Sequence, residues 1–245
     1  MIPTRLDPQL RAAIERRRLL RGGLSLGALT MLGGCDISDS DAVQSTLHAV
    51  SRWNDRVQAW LFSDSRLAKE YPQSAVAKQF RYNAYYPMKD APHIDAGTYK
   101  LGLSGKIADK RPWTVQQLLA LPRATQRTRH VCVEGWSYIG EWSGIPLGDF
   151  LARVGADTSA KYVGFECADG YYEGIDMPTA LHPQTIMAVT AGPDILPAKF
   201  GFPLKIRIPT KLGFKNPKWV TAMYVTDQEP HGFWTDRGYN WFSGI

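Results

Sequence analysis

Several features are missing from this sequence, and each absence narrows what the chain can do. It has no phosphate-loop or dinucleotide-type glycine pattern, so neither nucleotide class is supported. No cysteines or histidines fall at zinc-ligand spacing, and no Cys-x-x-Cys-His marks a haem attachment. Cysteine is scarce, with only Cys35, Cys132 and Cys167 in 245 residues. No apolar run reaches the ~20 residues of a spanning helix. There are no internal repeats and no low-complexity stretches. Basic charge is concentrated at one end. Residues 1–34 carry six arginines against Asp7 and Glu15, net +4, leaving +2 of the chain's +6 for the remainder. A nucleic-acid reading needs a basic stripe with aromatics on the folded domain, and none is evident.

What is present starts with an address. Arg16-Arg17-Arg18-Leu19-Leu20-Arg21 precedes a weakly apolar run from Gly22 to Gly34. The pattern resembles a twin-arginine export signal, a route that carries folded proteins. The run ends Leu32-Gly33-Gly34-Cys35, which resembles a bacterial lipobox with Cys35 as the lipid-bearing first residue. Residues 1–34 are therefore set apart as a signal peptide. Residues 35–80 read as a tether and a helical extension, and 81–245 as the main domain. Hydrophobic residues at 44% and charged residues at 21% suffice for a sizeable core there.

Along 42–62, Val43, Leu47, Val50, Trp53, Val57, Trp60 and Leu61 fall at three-and-four spacing. This predicts an amphipathic helix, most simply packed on the main domain. A shorter helix is expected over 65–70. Tyr99–Ser104 alternates as a strand. Thr114 to Gln117 forms a capping-box pattern before a short helix that Pro122 stops. Arg127–Glu134 is expected as the strand bearing Cys132. A Gly- and Trp-rich turn and a helix from Pro146 to Val154 follow. Lys161–Cys167 and Tyr171–Asp176 read as strands joined by the hairpin signal Asp169-Gly170. Thr179–Val189 reads as helical despite Pro183. Leu204–Pro209 and Trp219–Thr226 read as strands. Short strands mixed with short helices indicate an α+β domain.

Two features carry chemistry. A cysteine between Val131 and Val133 suits buried core, a hydrolytic nucleophile activated by His130 or His182, or a metal ligand. A Cys132–Cys167 disulfide suits an exported protein, but folding in a reducing cytoplasm before export argues against it. The second feature is a cationic turn. Lys211, Lys215 and Lys218 surround Gly213, and Lys205 and Arg207 precede them. Exposed backbone amides and ammonium groups suit a phosphate. A soft thiolate together with an anion-binding loop matches molybdenum held by a pterin dithiolene whose phosphate sits in the loop.

Cys132-Val133-Glu134-Gly135-Trp136-Ser137 followed by Trp142-Ser143-Gly144-Ile145-Pro146-Leu147 resembles the molybdopterin-binding domain of the sulfite oxidase family. It is especially similar to the bacterial branch that contains periplasmic methionine sulfoxide reductase catalytic subunits. Arg81-Tyr82-Asn83, Asp169-Gly170-Tyr171-Tyr172, Ala180-Leu181-His182-Pro183 and Gly201–Lys218 extend the match over roughly Tyr82–Ile245. The resemblance implies a fold of mixed sheets and short helices holding one molybdenum-molybdopterin, with Cys132 as metal ligand. It implies cofactor contacts from Asn83, Tyr86, Cys167, Lys205, Lys215, Asn216, Pro217 and Lys218, and a catalytic Tyr172 near the metal. Cys167 stands where the reductase branch has a threonine, Phe200 where a His or Asn is usual, and Lys205 where an Arg is usual. Oxygen-atom transfer is expected, in the direction of sulfoxide reduction or sulfite-type oxidation. With no haem site in the chain, electrons are expected to pass to or from a c-type or membrane b-type cytochrome. The rival readings are a metal-free envelope lipoprotein on the same scaffold and a cysteine hydrolase.

Overall fold

The computed structural model describes residues 41–63 and 65–245. The expected signal peptide, Cys35 and the start of the expected tether lie outside these described residues. The chain divides into two compact units, Met1–Trp53 and Asn54–Ile245. Helix α1 (Asp41–Leu61) begins in the first and continues into the second. It forms where the spacing predicts, and of its apolar stripe Val43 and Val57 are half-buried. Leu47, Val50, Trp53, Trp60 and Leu61 are all exposed. The expected helix at 65–70 is also replaced by extended chain. Ala68 N donates to Gln184 Oε1 at 2.8 Å, Gln184 Nε2 donates back to Ala68 O at 3.1 Å, and Glu70 bridges Thr128. These distant partners satisfy backbone groups that a local helix would otherwise pair.

The remaining elements, in chain order, are β1 (Lys100–Gly105), β2 (Trp113–Thr114), α2 (Val115–Leu119), β3 (Ala124–Val131), β4 (Ser137–Pro146), α3 (Leu147–Arg153), β5 (Tyr162–Cys167), β6 (Tyr172–Asp176), α4 (Met177–Leu181), β7 (Ile186–Ala191), β8 (Asp194–Ile195), β9 (Lys205–Arg207) and β10 (Val220–Thr226). They build two five-stranded sheets. One has the order β2-β1-β10-β5-β6, with only the β1–β10 pair parallel. The other has the order β3-β4-β7-β8, with β9 also paired to β7. This is the mixed-sheet α+β architecture. The capping box at α2 is formed in full: Gln117 N donates to Thr114 Oγ1, and Thr114 N donates to Gln117 Oε1.

The main core draws Leu101, Val163, Phe165, Ile175 and Met223 from the first sheet, Met187 and Ile206 from the second, and Leu147, Phe150 and Leu151 from α3. It therefore ties the two sheets together. A smaller cluster of Trp142, Ile186, Ala188 and Leu196 packs against Phe80, Tyr138 and Phe200.

Two strands depart from the sequence expectation. The stretch read as a Gly- and Trp-rich turn is the ten-residue β4. Its glycines serve close packing: a Cβ on Gly144 would lie 2.2 Å from Met187 O on the neighbouring strand. The stretch read as a helix over Thr179–Val189 ends at Leu181. A turn closed by Thr185 N to His182 O follows, and then β7. β7 is central in its sheet, so Ile186, Met187, Ala188 and Val189 are all buried. A strand covered on both faces loses its alternation, and periodicity cannot separate it from a helix. Pro146 ends β4 and caps α3 from outside, one residue before the helix.

Candidate active site

Two hairpin turns flank the site, and they share one local grammar. Cys132-Val133-Glu134-Gly135-Trp136 joins β3 to β4. Cys167-Ala168-Asp169-Gly170-Tyr171 joins β5 to β6. In each turn the glycine N–H donates to the cysteine carbonyl at 3.1 Å, and the cysteine N–H donates to the aromatic residue's carbonyl at 2.9 Å. Gly135 and Gly170 take φ of 87° and 78°, the left-handed position that closes a three-residue hairpin loop. Cys132 is thus the first residue of the turn, just past β3, and not within the strand.

The thiols meet different surroundings. Cys132 lines a cavity of about 340 Å³ together with Val133 and Glu134. Its Sγ lies 3.9 Å from Glu134 Oε2, which also accepts from Trp136 Nε1 at 2.7 Å. Burial raises the Cys132 thiol above its ordinary pKa. Cys167 belongs to the main core and does not line this cavity. Burial pushes its thiol well up, and Asp169 and Glu173 push the same way. Both thiols are free. The second turn instead sends Asp169 and Tyr171 to the cavity wall.

One part of the wall is cationic. β9 alternates Lys205, Ile206, Arg207, so both cations project from the same side of the strand. Arg207 is fully buried, and burial lowers it to about 10. Its guanidinium donates to Thr128 Oγ1 at 3.1 Å, Arg129 O at 2.7 Å and Asn216 Oδ1 at 3.0 Å. Lys205 lines the cavity, buried, with its ammonium 5.5 Å from the Trp142 ring. No carboxylate among the described residues pairs with it. Burial, with Lys218 and Arg207 nearby, pulls it well below an ordinary lysine. Lys218 also lines the cavity and donates to Asn83 O. Burial lowers it to about 8. Burial and these three cations hold His130 well below its ordinary pKa, so the imidazole is neutral. Its Nε2 lies 3.3 Å from Asn83 Nδ2.

Asn83, Cys132, Lys205, Asn216, Pro217 and Lys218 therefore come together on one cavity wall. Asn216 also braces the turn, accepting from Ile208 N at 2.7 Å and donating to Leu212 O at 3.0 Å. The other candidates lie elsewhere. Lys215 is buried against Glu173 Oε1 at 2.6 Å and Gly174 O at 2.6 Å. Tyr86 stands behind the wall and donates to Asp169 Oδ2 at 2.8 Å. Tyr172 points away and donates to Asp236 Oδ2 at 2.8 Å beside a separate groove. Phe200 packs on Phe80 in the smaller core.

Tyr171, one residue earlier, lines the cavity where Tyr172 does not. It donates to Phe214 O at 2.6 Å and lies 3.3 Å from Glu173 Oε2. Successive strand residues face opposite ways. Glu173 and Ile175 are buried on β6, and that register assigns Tyr171 to the inner face. Tyr85, Phe214, Trp234 and Tyr239 complete an aromatic wall; Phe214 lies within the Gly201–Lys218 stretch.

The wall suits an anionic group that brings a thiophilic metal. It holds a soft sulfur donor, an unpaired buried lysine and a second lysine. Arg207, on the same strand as Lys205 but not lining the cavity, has its Nε buried with no partner among the described residues. Comparison with known proteins decides the class. A family described as "Oxidoreductase molybdopterin binding domain" matches residues 88–234. The chain belongs to this family. This molybdopterin oxidoreductase is 52% identical over 229 residues to a candidate protein-methionine-sulfoxide reductase subunit, YedZ1, of Azospira oryzae, spanning 94% of this chain and 87% of the relative. It is 28% identical to the protein-methionine-sulfoxide reductase catalytic subunit MsrP of Burkholderia mallei and 30% identical to that of Xanthomonas campestris pv. campestris. Each match covers 67% of this chain but only 58% and 59% of those relatives, so the chain spans under two thirds of their length. The sulfane dehydrogenase SoxCD of Paracoccus pantotrophus shares the fold at a TM-score of 0.53 and 21% identity, covering 57% of this chain and 41% of that one.

Proposed function

We propose that this oxidoreductase removes the oxygen of a neutral sulfoxide in the cell envelope, with its molybdopterin held at the Cys132 cavity. The net change breaks the S–O bond. Sulfur gains two electrons, and oxygen leaves as water with two protons. The wall's composition carries the choice of substrate. Glu134 and Asp169 stand with Tyr85, Tyr171, Phe214, Trp234 and Tyr239. Carboxylates repel sulfite, whereas aromatic rings favour the organic substituents of a sulfoxide and the thioether it becomes. The names of the relatives support the same direction.

When bound, the cofactor supplies a two-electron redox centre for oxygen-atom transfer. The chain's part is placement and charge. Cys132 serves as the thiolate ligand and loses its proton on metal binding. Lys205 and Lys218, with the amide of Asn216, hold the cofactor's anionic end. Asn83 holds Lys218 on the wall through its carbonyl and meets the buried His130 with its amide. Tyr171 takes the wall position that the family resemblance suggested for Tyr172. A c-type or membrane b-type cytochrome delivers the electrons. Twin-arginine export and a lipid on Cys35 place the enzyme at the membrane.

The test is protein produced in cofactor-competent cells, assayed for molybdenum and for reduction of methionine sulfoxide and dimethyl sulfoxide by reduced viologen. Molybdenum-dependent sulfoxide reduction is expected. Sulfite oxidation with the larger kcat/KM would overturn the direction, and folded protein without molybdenum would overturn the enzyme. Mass spectrometry of the exported N-terminus checks the lipid.

A further inference from the structure

Glu173 and Lys215 form a buried ion pair behind Tyr171, and the redox reading gives neither a part. Lys215 Nζ donates to Glu173 Oε1 at 2.6 Å, with the two side chains 1% and 0% exposed. A pair this deep adds little to stability, because taking both charges out of water offsets their attraction. Its place in the fold is more informative. Glu173 lies on β6 two residues after Tyr171, on the same inner face. Its second oxygen, Oε2, is 3.3 Å from the Tyr171 hydroxyl. Lys215 ends the turn Gly213–Lys215, one residue after Phe214, whose carbonyl accepts from that hydroxyl at 2.6 Å. The phenol is therefore held from two sides, by β6 through Glu173 and by the turn through Phe214 O. The ion pair joins those two sides. Lys215 also donates to Gly174 O at 2.6 Å, and Glu173 Oε1 accepts from Gly174 N at 2.9 Å, so both charged groups are fixed. The last loop closes over the carboxylate at Gly232, where a Cβ would lie 2.6 Å from Glu173 Oε1.

We infer that Glu173 and Lys215 are positioning residues that act through Tyr171, fixing the phenol that lines the cavity. The inference rests on the Cys132 cavity being the reaction site. A phenol has one hydrogen to donate, and in this structure Phe214 O receives it. Turning about the C–O bond re-aims that hydrogen at a sulfoxide oxygen in the cavity while the ring and its oxygen stay in place. A donor whose heavy atoms are already fixed stabilises the reacting oxygen without a cost of reorganisation. The pair is neutral as a whole, so it orients the phenol without adding charge to the wall. Lys215 thereby differs from Lys205 and Lys218, which line the cavity with no carboxylate partner among the described residues.

The experiment uses the full holoenzyme and two variants. Gly232→Ala removes no charge but makes the Glu173 carboxylate move. Glu173→Met/Lys215→Met removes both charges together and so leaves no lone buried ion. Each is made with and without Tyr171→Phe. Crystal structures are compared with steady-state reduction of methionine sulfoxide by reduced viologen. With Tyr171 present, kcat should fall about threefold in Gly232→Ala and about tenfold in the double variant, with KM within about twofold. In the Tyr171→Phe background neither change should lower kcat further, the non-additivity of residues that act through one group. In crystals of both variants the Tyr171 hydroxyl should have left Phe214 O, and molybdenum content should match the wild type. An equal loss of kcat in both backgrounds, a loss confined to KM, an unchanged kcat or a hydroxyl still on Phe214 O would overturn the positioning role. A wild type that reduces no sulfoxide bears on the proposed function instead, and the place of the Tyr171 hydroxyl in the crystals still decides whether the pair holds it.

Discussion

The Cys132 and Cys167 turns have the same backbone, the same glycine conformation and the same order of cysteine, acid, glycine and aromatic residue. Only one presents its sulfur to the cavity. The difference comes from the strands behind them. β5 pairs with β10 in the first sheet, setting Cys167 opposite Val220 and within the main core. β3 is the edge of the second sheet, so the Cys132 turn projects past it to the cavity. Local sequence sets the shape of a turn, and the sheet that carries it sets what its side chains meet.

The sharpest way to break this comparison is to remove each sulfur. Cys132→Ser should lower sulfoxide reduction by at least about 100-fold, since even residues that only support a metal ligand are worth about 10–100-fold. Cys167→Ser should keep activity within a few-fold and cost about 1–2 kcal/mol of stability, read by denaturant unfolding, for a hydroxyl placed in the core. Equal losses of activity would erase the distinction.

Next in size is a comparison of two buried lysines, one facing the cavity and one not. Lys205→Met should reduce cofactor retention about tenfold or more while stabilising the cofactor-free chain by about 1–3 kcal/mol, because an unpaired buried cation is removed. Lys211 is also buried, with its ammonium 2.8 Å from the Phe242 ring centroid and 3.9 Å from Asp176 Oδ1. Burial lowers it from 10.5 to about 7. The unfolded chain therefore takes up this proton first as pH falls. Wild-type stability should decline from about pH 10.5 to about pH 7 and be insensitive to this group below that. Lys211→Met should flatten that slope and gain about 1 kcal/mol at pH 7, with molybdenum content unchanged. Urea unfolding across the window checks both the sign and the size.

The tyrosines after the second turn give a smaller contrast. Tyr171→Phe removes the donor to Phe214 O on the cavity wall and should lower kcat about tenfold. Tyr172→Phe removes an exposed bond to Asp236 and should stay within about twofold. Smallest of all, Gly135→Ala and Gly170→Ala should each cost about 1 kcal/mol, by the same left-handed strain. Only the first should also alter the metal spectrum.

The sequence made these contrasts legible to different depths. β1, β5, β6 and β10 were readable because each shows alternation or a turn signal, and α2 because Thr114 and Gln117 form a capping box. β7 was unreadable because burial on both faces removes alternation. β4 was unreadable because its glycines answer to neighbours distant in the chain. Cys132, Asn83, Lys205, Asn216, Pro217 and Lys218 could be named because their motifs are contiguous and chemically distinctive, and the fold gathers them on one wall. Tyr172 was named, while Tyr171 is the one of the pair that lines the cavity, because a one-residue register reverses which side chain faces inward. Tyr85, Trp234 and Tyr239 carry no motif. Only tertiary structure brings residues before β1 and after β10 to the same cavity.

The most direct test of the account is molybdenum X-ray absorption on wild type, Cys132→Ser and Cys167→Ser purified from cofactor-producing cells. About one molybdenum per chain is expected in the wild type, as for a single thiolate-ligated site. The same sulfur shell is expected in Cys167→Ser, and one fewer sulfur, or no bound metal, in Cys132→Ser. An unchanged sulfur shell in Cys132→Ser, or a sulfur lost from Cys167→Ser instead, would contradict it.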